Sequence, residues 1–227
     1  MSLSIVIALY PGITHLDFTG PHQVLARTPD AEVIVASMGG QDIDGDGLVF
    51  TKLADLSKIE RCDVLCIPGG MGTTAAMLDD AFVGEIRRLG GTAKYLTSVC
   101  TGSLILGAAG FLKGRRAATH WAARSFLEPL GAIVSEERVC RDGNIITGGG
   151  VTAGIDFAFV LLEELAGRDY AEAIQLGLEY APAPPFNAGR PELARREILE
   201  QVTARMASFG DARMQASTEA ANRMEPA

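Results

Sequence analysis

The chain has 227 residues and a formal net charge of -8, with 48% apolar and 21% charged residues. This length and composition are typical of one globular α/β domain with a buried core. Basic residues never cluster beyond a pair such as Arg87-Arg88, which argues against nucleic-acid binding. The N-terminus lacks a basic signal region and no apolar run reaches membrane-spanning length, so we expect a cytoplasmic protein that binds no membrane.

Strands and helices alternate along the chain. Short apolar runs predict strands at residues 3–9, 32–38, 48–53, 63–67, 93–99, 132–134, 139–141 and 144–147. Helical periodicity and stop signals predict helices at residues 20–27, 80–89, 101–109, 120–130, 151–166, 169–178 and 192–209. This alternation predicts an α/β fold with a mainly parallel sheet and helices on both faces.

Proline and glycine residues indicate where these elements begin and how they are connected. Pro21 suits the first turn of the first helix, and Asp142-Gly143 predicts a hairpin. Proline is too frequent in residues 179–191 for helix or central strand, so we expect an ordered loop over the body. We find no repeat and no linker, and we predict one domain over residues 1–210 followed by a flexible tail, residues 211–227.

The stretch Ala93 to Leu106, AKYLTSVCTGSLIL, changes abruptly from a strand pattern to a helix pattern at Cys100. Such an elbow presents its turn residue above the sheet, next to free amides of the helix N-terminus. Those amides and the helix dipole favour a thiolate, so we predict a nucleophilic cysteine. The alternative is a small residue that fills a tight turn.

Ligands bind at the carboxyl ends of parallel strands, so the exits of three apolar strands should converge. The first exit carries Asp17. Its carboxyl is either a proton donor, with a pKa that burial raises, or a helix cap. The second carries Gly69 and Gly70, whose amides could approach a developing anion or simply serve a turn. We expect Gly149 and Gly150, after the 144–147 strand, to line the substrate site as well; as a lone glycine run they do not predict dinucleotide binding.

The remaining cysteines and the histidines show no metal-ligand spacing, so we expect no metal. Cys62 and Cys66 flank an apolar strand and should pack as small hydrophobic residues. His120, before Trp121, is either the base of a Cys–His pair or a packed capping residue, and both interpretations stay open.

The segments LDFTGPHQVL, CIPGGMG, SVCTGSLILGAAGFLKGRRAATHW and TGGGVTAGIDFAFVL resemble the DJ-1/PfpI superfamily, which shares its fold with class I glutamine amidotransferases. They also resemble the sensor domains of AraC-type regulators, but we expect no DNA-binding module in this chain. The segment EYAPAPPFNAG, after LGL, is similar to the isocyanide hydratases of this superfamily.

The resemblance implies a flavodoxin-like three-layer sandwich, a homodimer and no cofactor. It makes Cys100 the nucleophile, Asp17 its acidic partner and Thr101 a pocket residue. Relatives with protease-like or amidase-like activity have histidine where this chain has Thr101, and many relatives have glutamate at the position of Asp17. The expected activity is hydration of an isocyanide to an N-substituted formamide through a covalent thioimidate. The alternatives are a glyoxalase or amidase of the same fold, or a redox or ligand sensor without turnover.

Overall fold

A computed structural model describes residues 3–224 of the chain. Its strands are β1 (Leu3–Ala8), β2 (Ala31–Ser37), β3 (Ile43–Gly45), β4 (Leu48–Phe50), β5 (Ala54–Asp55), β6 (Val64–Ile67), β7 (Tyr95–Val99), β8 (Arg116–Ala118), β9 (Ile133–Ser135), β10 (Val139–Asp142) and β11 (Ile145–Gly148). Its α-helices are α1 (Leu16–Leu25), α2 (Thr73–Ala76), α3 (Asp80–Gly90), α4 (Gly102–Ala108), α5 (Ala153–Ala166), α6 (Arg168–Gly177), α7 (Arg196–Ala207) and α8 (Gly210–Met224). Short 3₁₀ segments lie at Met38–Gly40, Leu56–Lys58 and Trp121–Leu127.

The central sheet of the described chain has seven strands in the order β10-β11-β7-β6-β1-β2-β5. Neighbouring strands pair in parallel except β10 and β11, which form an antiparallel hairpin at one edge. The hairpin predicted from the Asp-Gly dipeptide is present, but its turn residues are Gly143 and Asn144, because Asp142 still pairs with Ile145. The predicted mainly parallel sheet is confirmed.

The direction of the crossovers places helices on both faces of the sheet. β1 leads through α1 to β2, its neighbour on one side, whereas β6 leads through α3 to β7 in the opposite direction. Because such crossovers are right-handed, α1 and α3 lie on opposite faces. α5 packs against α1 and α6, while α4 packs against α2, α3 and α8. The result is the predicted flavodoxin-like three-layer arrangement.

The middle of the sheet determines where the site forms. β1, β6 and β7 are adjacent, and every residue of β6 and β7 is buried. Strands covered on both faces have near-continuous apolar sequences, which is why these runs were visible in the sequence. Because the three strands are parallel, their carboxyl ends meet at one edge of the sheet.

Helix α1 begins earlier than the sequence predicts. It starts at Leu16, so Pro21 lies inside the helix instead of at its first position. Proline lacks the amide that would bond to the carbonyl of Asp17, a loss that normally ends a helix. Here α1 packs closely on α5, with Pro21 against Gly154, and this packing offsets the missing bond. The early start places Asp17 on the helix, with its side chain fully buried.

Other elements also differ from the prediction. Residues 73–76 form α2, a single turn too short to produce a periodic signal. The helix predicted at 120–130 is the 3₁₀ segment Trp121–Leu127. The Pro-rich loop extends to Arg195, with residues 191–193 forming a separate turn, and α7 begins at Arg196.

The C-terminal residues correct the predicted flexible tail. Residues 210–224 form α8, which packs against α2 and α4. Its buried residues are Arg213, Ala216, Ser217 and Ala220. This stripe has helical i, i+3, i+4, i+7 spacing, but α8 is otherwise polar, and its contact surface is made by helices distant in the sequence. Residues 225–227 of the predicted tail lie outside the described residues.

Within residues 3–224, no helix combines the length and the apolar character needed to cross a membrane. The division of the chain into a domain of residues 1–210 stays a prediction, as does the cytoplasmic localisation.

Candidate active site

Cys100 lies at the predicted elbow between β7 and α4. Its φ angle of 55° is in the left-handed region, which costs a non-glycine residue about 1–3 kcal/mol. Backbone bonds hold it there: its amide donates to the carbonyls of Gly148 (3.1 Å) and Gly149 (2.8 Å). Its own carbonyl accepts from the hydroxyls of Thr119 (2.9 Å) and Ser103 (3.2 Å). The surrounding strands and loops therefore impose the strained conformation.

Close backbone packing around the elbow requires glycine at two positions. A Cβ atom on Gly102 would overlap the carbonyl of Ile67 at the end of β6. A Cβ atom on Gly69 would lie 2.5 Å from the amide of Thr101 and 2.8 Å from Asp17 Oδ2. These two glycines let the exits of β6 and β7 approach each other and the side chain of Asp17.

Asp17 is fully buried beside Cys100. Its Oδ2 accepts a hydrogen bond from the amide of Gly69 at 2.9 Å. Its Oδ1 is buried without a hydrogen-bond partner of good geometry among the described residues. Burial raises the pKa of Asp17 to about 7, against the lowering effect of the bonds with Gly69 and Cys100. The carboxyl therefore gains and loses a proton near neutral pH.

Cys100 is buried, with 6% of the residue exposed. Burial, and then the negative charge of Asp17, raise its pKa, while the backbone amides of Thr101 and Val151 act in the opposite direction. The predicted preference for thiolate from the helix amides is thus present but weaker than the effect of burial. Near neutral pH the Cys100–Asp17 pair retains at least one proton between them.

Thr101 connects the elbow to the first two strand exits. Its hydroxyl accepts from the amide of Gly70 at 3.0 Å and lies 2.8 Å from the hydroxyl of Thr73. The hydroxyl of Thr73 lies 2.9 Å from that of Tyr10, which donates to the carbonyl of Pro68 at 2.8 Å. Burial raises the pKa of Tyr10, so its phenol stays protonated. The predicted convergence of the three exits is confirmed by these bonds.

A cavity of about 250 Å³ lies against the elbow. Its wall includes Gly149, whose carbonyl binds the amide of Cys100, together with Gly150 and Val151. His120 and Trp121 form another wall, and residues 189–192 of the Pro-rich loop also line the cavity. The end of that loop therefore lies next to two of the glycines predicted to bind substrate, whereas Cys100, Asp17 and Thr101 do not line this cavity.

His120 occupies the capping role that the sequence left open. Its Nδ1 accepts from the amide of Ala122 at 3.3 Å, at the start of the 3₁₀ segment. Its ring contacts Trp121 and lies against Gly150. Burial, and then the charges of Arg213 and Arg124, lower its pKa, so it is neutral near pH 7. Within the described residues no bond joins His120 to Cys100.

The structure thus brings together the predicted site residues, which are Cys100, Asp17, Thr101, Gly69, Gly70, Gly149 and Gly150. Their catalytic and binding roles stay predictions. Sequence reasoning missed the hydroxyls of Tyr10, Thr73 and Thr119 and the amide of Val151. Tyr10 could have been found as the residue at the first strand exit; the others depend on packing between distant segments. No group of three or more potential metal ligands occurs among residues 3–224.

Comparison with known proteins agrees with this geometry. The DJ-1/PfpI family model matches residues 3–164. An isonitrile hydratase from Pseudomonas putida is 46% identical over 91% of this chain and 91% of its own. The protein dj-1beta of Drosophila melanogaster is 28% identical over 78% of this chain and 97% of its own. The crystal structure of a THiJ/PfpI family protein from Pseudomonas syringae superposes with a TM-score of 0.91 at 39% identity, covering 97% of this chain and 91% of that one. The chain belongs to the DJ-1/PfpI family.

Proposed function

We propose that this protein is an isocyanide hydratase, which adds water to R–N≡C to give the N-substituted formamide. The observation that carries the proposal is the buried pairing of the Cys100 thiol with a carboxyl, Asp17, whose pKa is about 7. Such a carboxyl serves as both acid and base near neutral pH. The 46% identity to the Pseudomonas putida isonitrile hydratase along 91% of each chain supports the proposal.

The chemistry of an isocyanide suits this pair. Its terminal carbon accepts a nucleophile but carries no oxygen that an enzyme could polarise. Addition therefore requires a nucleophile and a proton at the same carbon atom. A thiol and a carboxyl that lie together in a buried site supply both, without a histidine.

In the first step the pair carries one proton, which moves from sulfur to Asp17. The thiolate of Cys100 forms a C–S bond to the isocyanide carbon, and Asp17 gives its proton to that carbon. The product is a thioimidate, R–N=CH–S, attached to Cys100, and Asp17 is left as a carboxylate. The amides of Thr101 and Val151 favour the negative sulfur before attack.

In the second step Asp17 takes a proton from water as the oxygen bonds to the thioimidate carbon, and Asp17 then gives that proton to the nitrogen. The tetrahedral species R–NH–CH(OH)–S then breaks its C–S bond. The hydroxyl proton returns to Asp17 as the carbonyl forms, which releases R–NH–CHO and the thiolate of Cys100. The sum is R–N≡C plus water, with the pair restored.

The four predicted substrate-binding glycines divide into two groups. The amides of Gly69 and Gly70 already donate to Asp17 and to Thr101, so we assign them the role of positioning those side chains. Gly149 and Gly150 line the cavity, and we propose that their backbone contacts the R group. The hydroxyl of Thr101 lies beside the elbow, where it bonds to the amide of Gly70 and the hydroxyl of Thr73.

The geometry favours this reaction over its alternatives. A Cys–His amidase needs a base bonded to the thiol, but the residue after Cys100 is Thr101 and His120 caps the 3₁₀ segment. A redox sensor typically exposes a thiol of low pKa. The Cys100 thiol is buried and its pKa is raised.

We also retain the proposal of a homodimer. Two large apolar side chains outside the sheet, Leu176 and Phe186, are 83% and 79% exposed. A second copy of the chain would cover them. Sedimentation equilibrium should give the mass of a dimer, and a monomer mass at micromolar concentration would contradict this.

The activity is tested by incubating the protein with cyclohexyl isocyanide and with a simple aromatic isocyanide, and measuring formamide by chromatography. We expect catalytic formation of the matching N-substituted formamide. Methylglyoxal, assayed for conversion to lactate, is the control for a glyoxalase. Lactate formation with no formamide from either isocyanide would contradict the proposal.

A further inference from the structure

Helix α8 buries a guanidinium group near the elbow. Arg213 is 9% exposed, and it begins the buried stripe that continues with Ala216, Ser217 and Ala220. The small residues let α8 lie close to α2 and α4. Arg213 is therefore held between α8 and the helices that start at the second and third strand exits.

The contacts of Arg213 leave its charge uncompensated. Its Nε donates to the hydroxyl of Thr74 at 3.2 Å, while its Nη2 is buried without a hydrogen-bond partner. No ion pair involves Arg213 within residues 3–224. Burying an unpaired charge is costly unless an anion lies within reach.

Groups of the active site act on this charge: Cys100 and Tyr10 raise the pKa of Arg213, against the larger lowering effect of burial. Thr74 follows Thr73, whose hydroxyl lies 2.8 Å from that of Thr101, the residue after Cys100. The titratable and charged groups that interact across this region are Cys100, Asp17, Asp46, Tyr10, His120, Arg124 and Arg213. Asp46 is exposed, and its carboxylate accepts a hydrogen bond from the amide of His15. Tyr10 and His120 are neutral near pH 7, so the negative charge belongs to the Cys100–Asp17 pair.

We propose that Arg213 is a positioning residue whose buried positive charge, held on α2 by Thr74, stabilises the anionic Cys100–Asp17 pair. Removal of the charge raises the pKa of the pair, so that more of the pair is fully protonated at a given pH. Less thiolate is then available for attack. The importance of Arg213 in turnover rests on the proposed hydratase function. Its effect on the thiol does not, because that effect requires no isocyanide.

The test is the pH dependence of Cys100 alkylation by iodoacetamide, followed by mass spectrometry of the peptide that contains Cys100. Iodoacetamide is neutral, so the charge of Arg213 does not attract it. We expect Arg213→Met to shift the profile to higher pH and to slow alkylation about tenfold at a fixed pH below the midpoint, equivalent to one pKa unit. Arg213→Lys keeps the charge and should restore most of the rate.

Arg223→Gln is the matched control. Arg223 also lies on α8, but it is exposed and paired with Asp80 and Glu219. The alkylation profile of Arg223→Gln against pH should coincide with that of the wild type. If the profile of Arg213→Met coincides with the wild type as well, the proposal is wrong; the same holds if Arg213→Lys is as slow as Arg213→Met.

A second variant covers the case in which Arg213→Met does not fold. Thr74→Val keeps the charge but removes the oxygen that holds Nε, so we expect a smaller shift in the same direction. A wild-type profile in Thr74→Val would then contradict the proposal. Shifted alkylation in a protein that hydrates no isocyanide would overturn the proposed function but leave the role of Arg213 intact.

Discussion

Two cysteines lie in similar surroundings near the ends of strands β6 and β7, but only one of them is a candidate nucleophile. Cys66 and Cys100 are both buried, on adjacent parallel strands, and the charge of Asp17 acts on both thiols. Burial raises the pKa of Cys66 to about 12, partly countered by its hydrogen bond with Thr97. Proximity to the carboxyl therefore does not distinguish the two thiols.

The difference lies in the backbone. Cys66 is a regular strand residue paired with Ile7 and Thr97. Cys100 is one residue beyond its strand, at φ 55°, where the amides of Thr101 and Val151 face the sulfur and a cavity adjoins the turn. The same residue type becomes a candidate nucleophile only where the chain turns from strand into helix.

The largest expected effect is the loss of activity in Cys100→Ala. Because no other group forms the C–S bond, formamide production should fall at least about 10⁴-fold. Cys66→Ala is the matched control and should keep the wild-type mechanism, with a loss of stability of about 1 kcal/mol. Steady-state assays with cyclohexyl isocyanide compare the two. Equal losses in both variants would show that position at the elbow is not what matters.

Asp17→Asn should have the next largest effect. The amide keeps the shape of the side chain but cannot deliver or accept the proton, so kcat/KM should fall about 10²-fold or more. The position of the thiol and the fold should be preserved, which circular dichroism and thermal unfolding can check. A variant that retains wild-type kcat/KM would remove Asp17 from the mechanism.

The pH dependence of kcat/KM tests whether the Cys100–Asp17 pair must lose a proton before the reaction. Below its pKa of about 7 the carboxyl and the thiol are both protonated; above it the pair has lost one proton and can form the thiolate. The kcat/KM of the wild type should therefore rise as pH increases through about 7 and then level off. The profile of Asp17→Asn should lack this rise near pH 7. A wild-type profile that is flat between pH 5 and 9 would contradict the pairing.

The smallest expected effect is that of Thr101→Val. It removes the hydroxyl that bonds Gly70 and Thr73, worth about 0.5–1.5 kcal/mol for one such bond, or up to about tenfold in rate. Thr101→Ser keeps the hydroxyl and should retain most of the activity. Loss of activity comparable to Cys100→Ala would instead make the hydroxyl a direct participant.

The sequence alone predicted the sheet, the elbow and the meeting of the strand exits, because those depend on local patterns. Near-continuous apolar runs marked β1 and β6, and the change of pattern at Cys100 marked the elbow. Arg213 and the Tyr10–Thr73 bond were not predictable in this way, since they depend on α8 and α2 packing against distant segments. The burial of Cys100 was not predictable for a related reason, because it is imposed by loops far away in the chain.

The central claim is that Cys100 bonds covalently to the isocyanide carbon. The most direct measurement is mass spectrometry of the protein quenched during turnover of cyclohexyl isocyanide, with peptide mapping of the cysteines. We predict a mass gain equal to one isocyanide on the Cys100 peptide, none on the Cys66 peptide, and none in Cys100→Ala. Formamide production with no adduct on Cys100 at any quench time, or an adduct on Cys66 instead, would contradict the account.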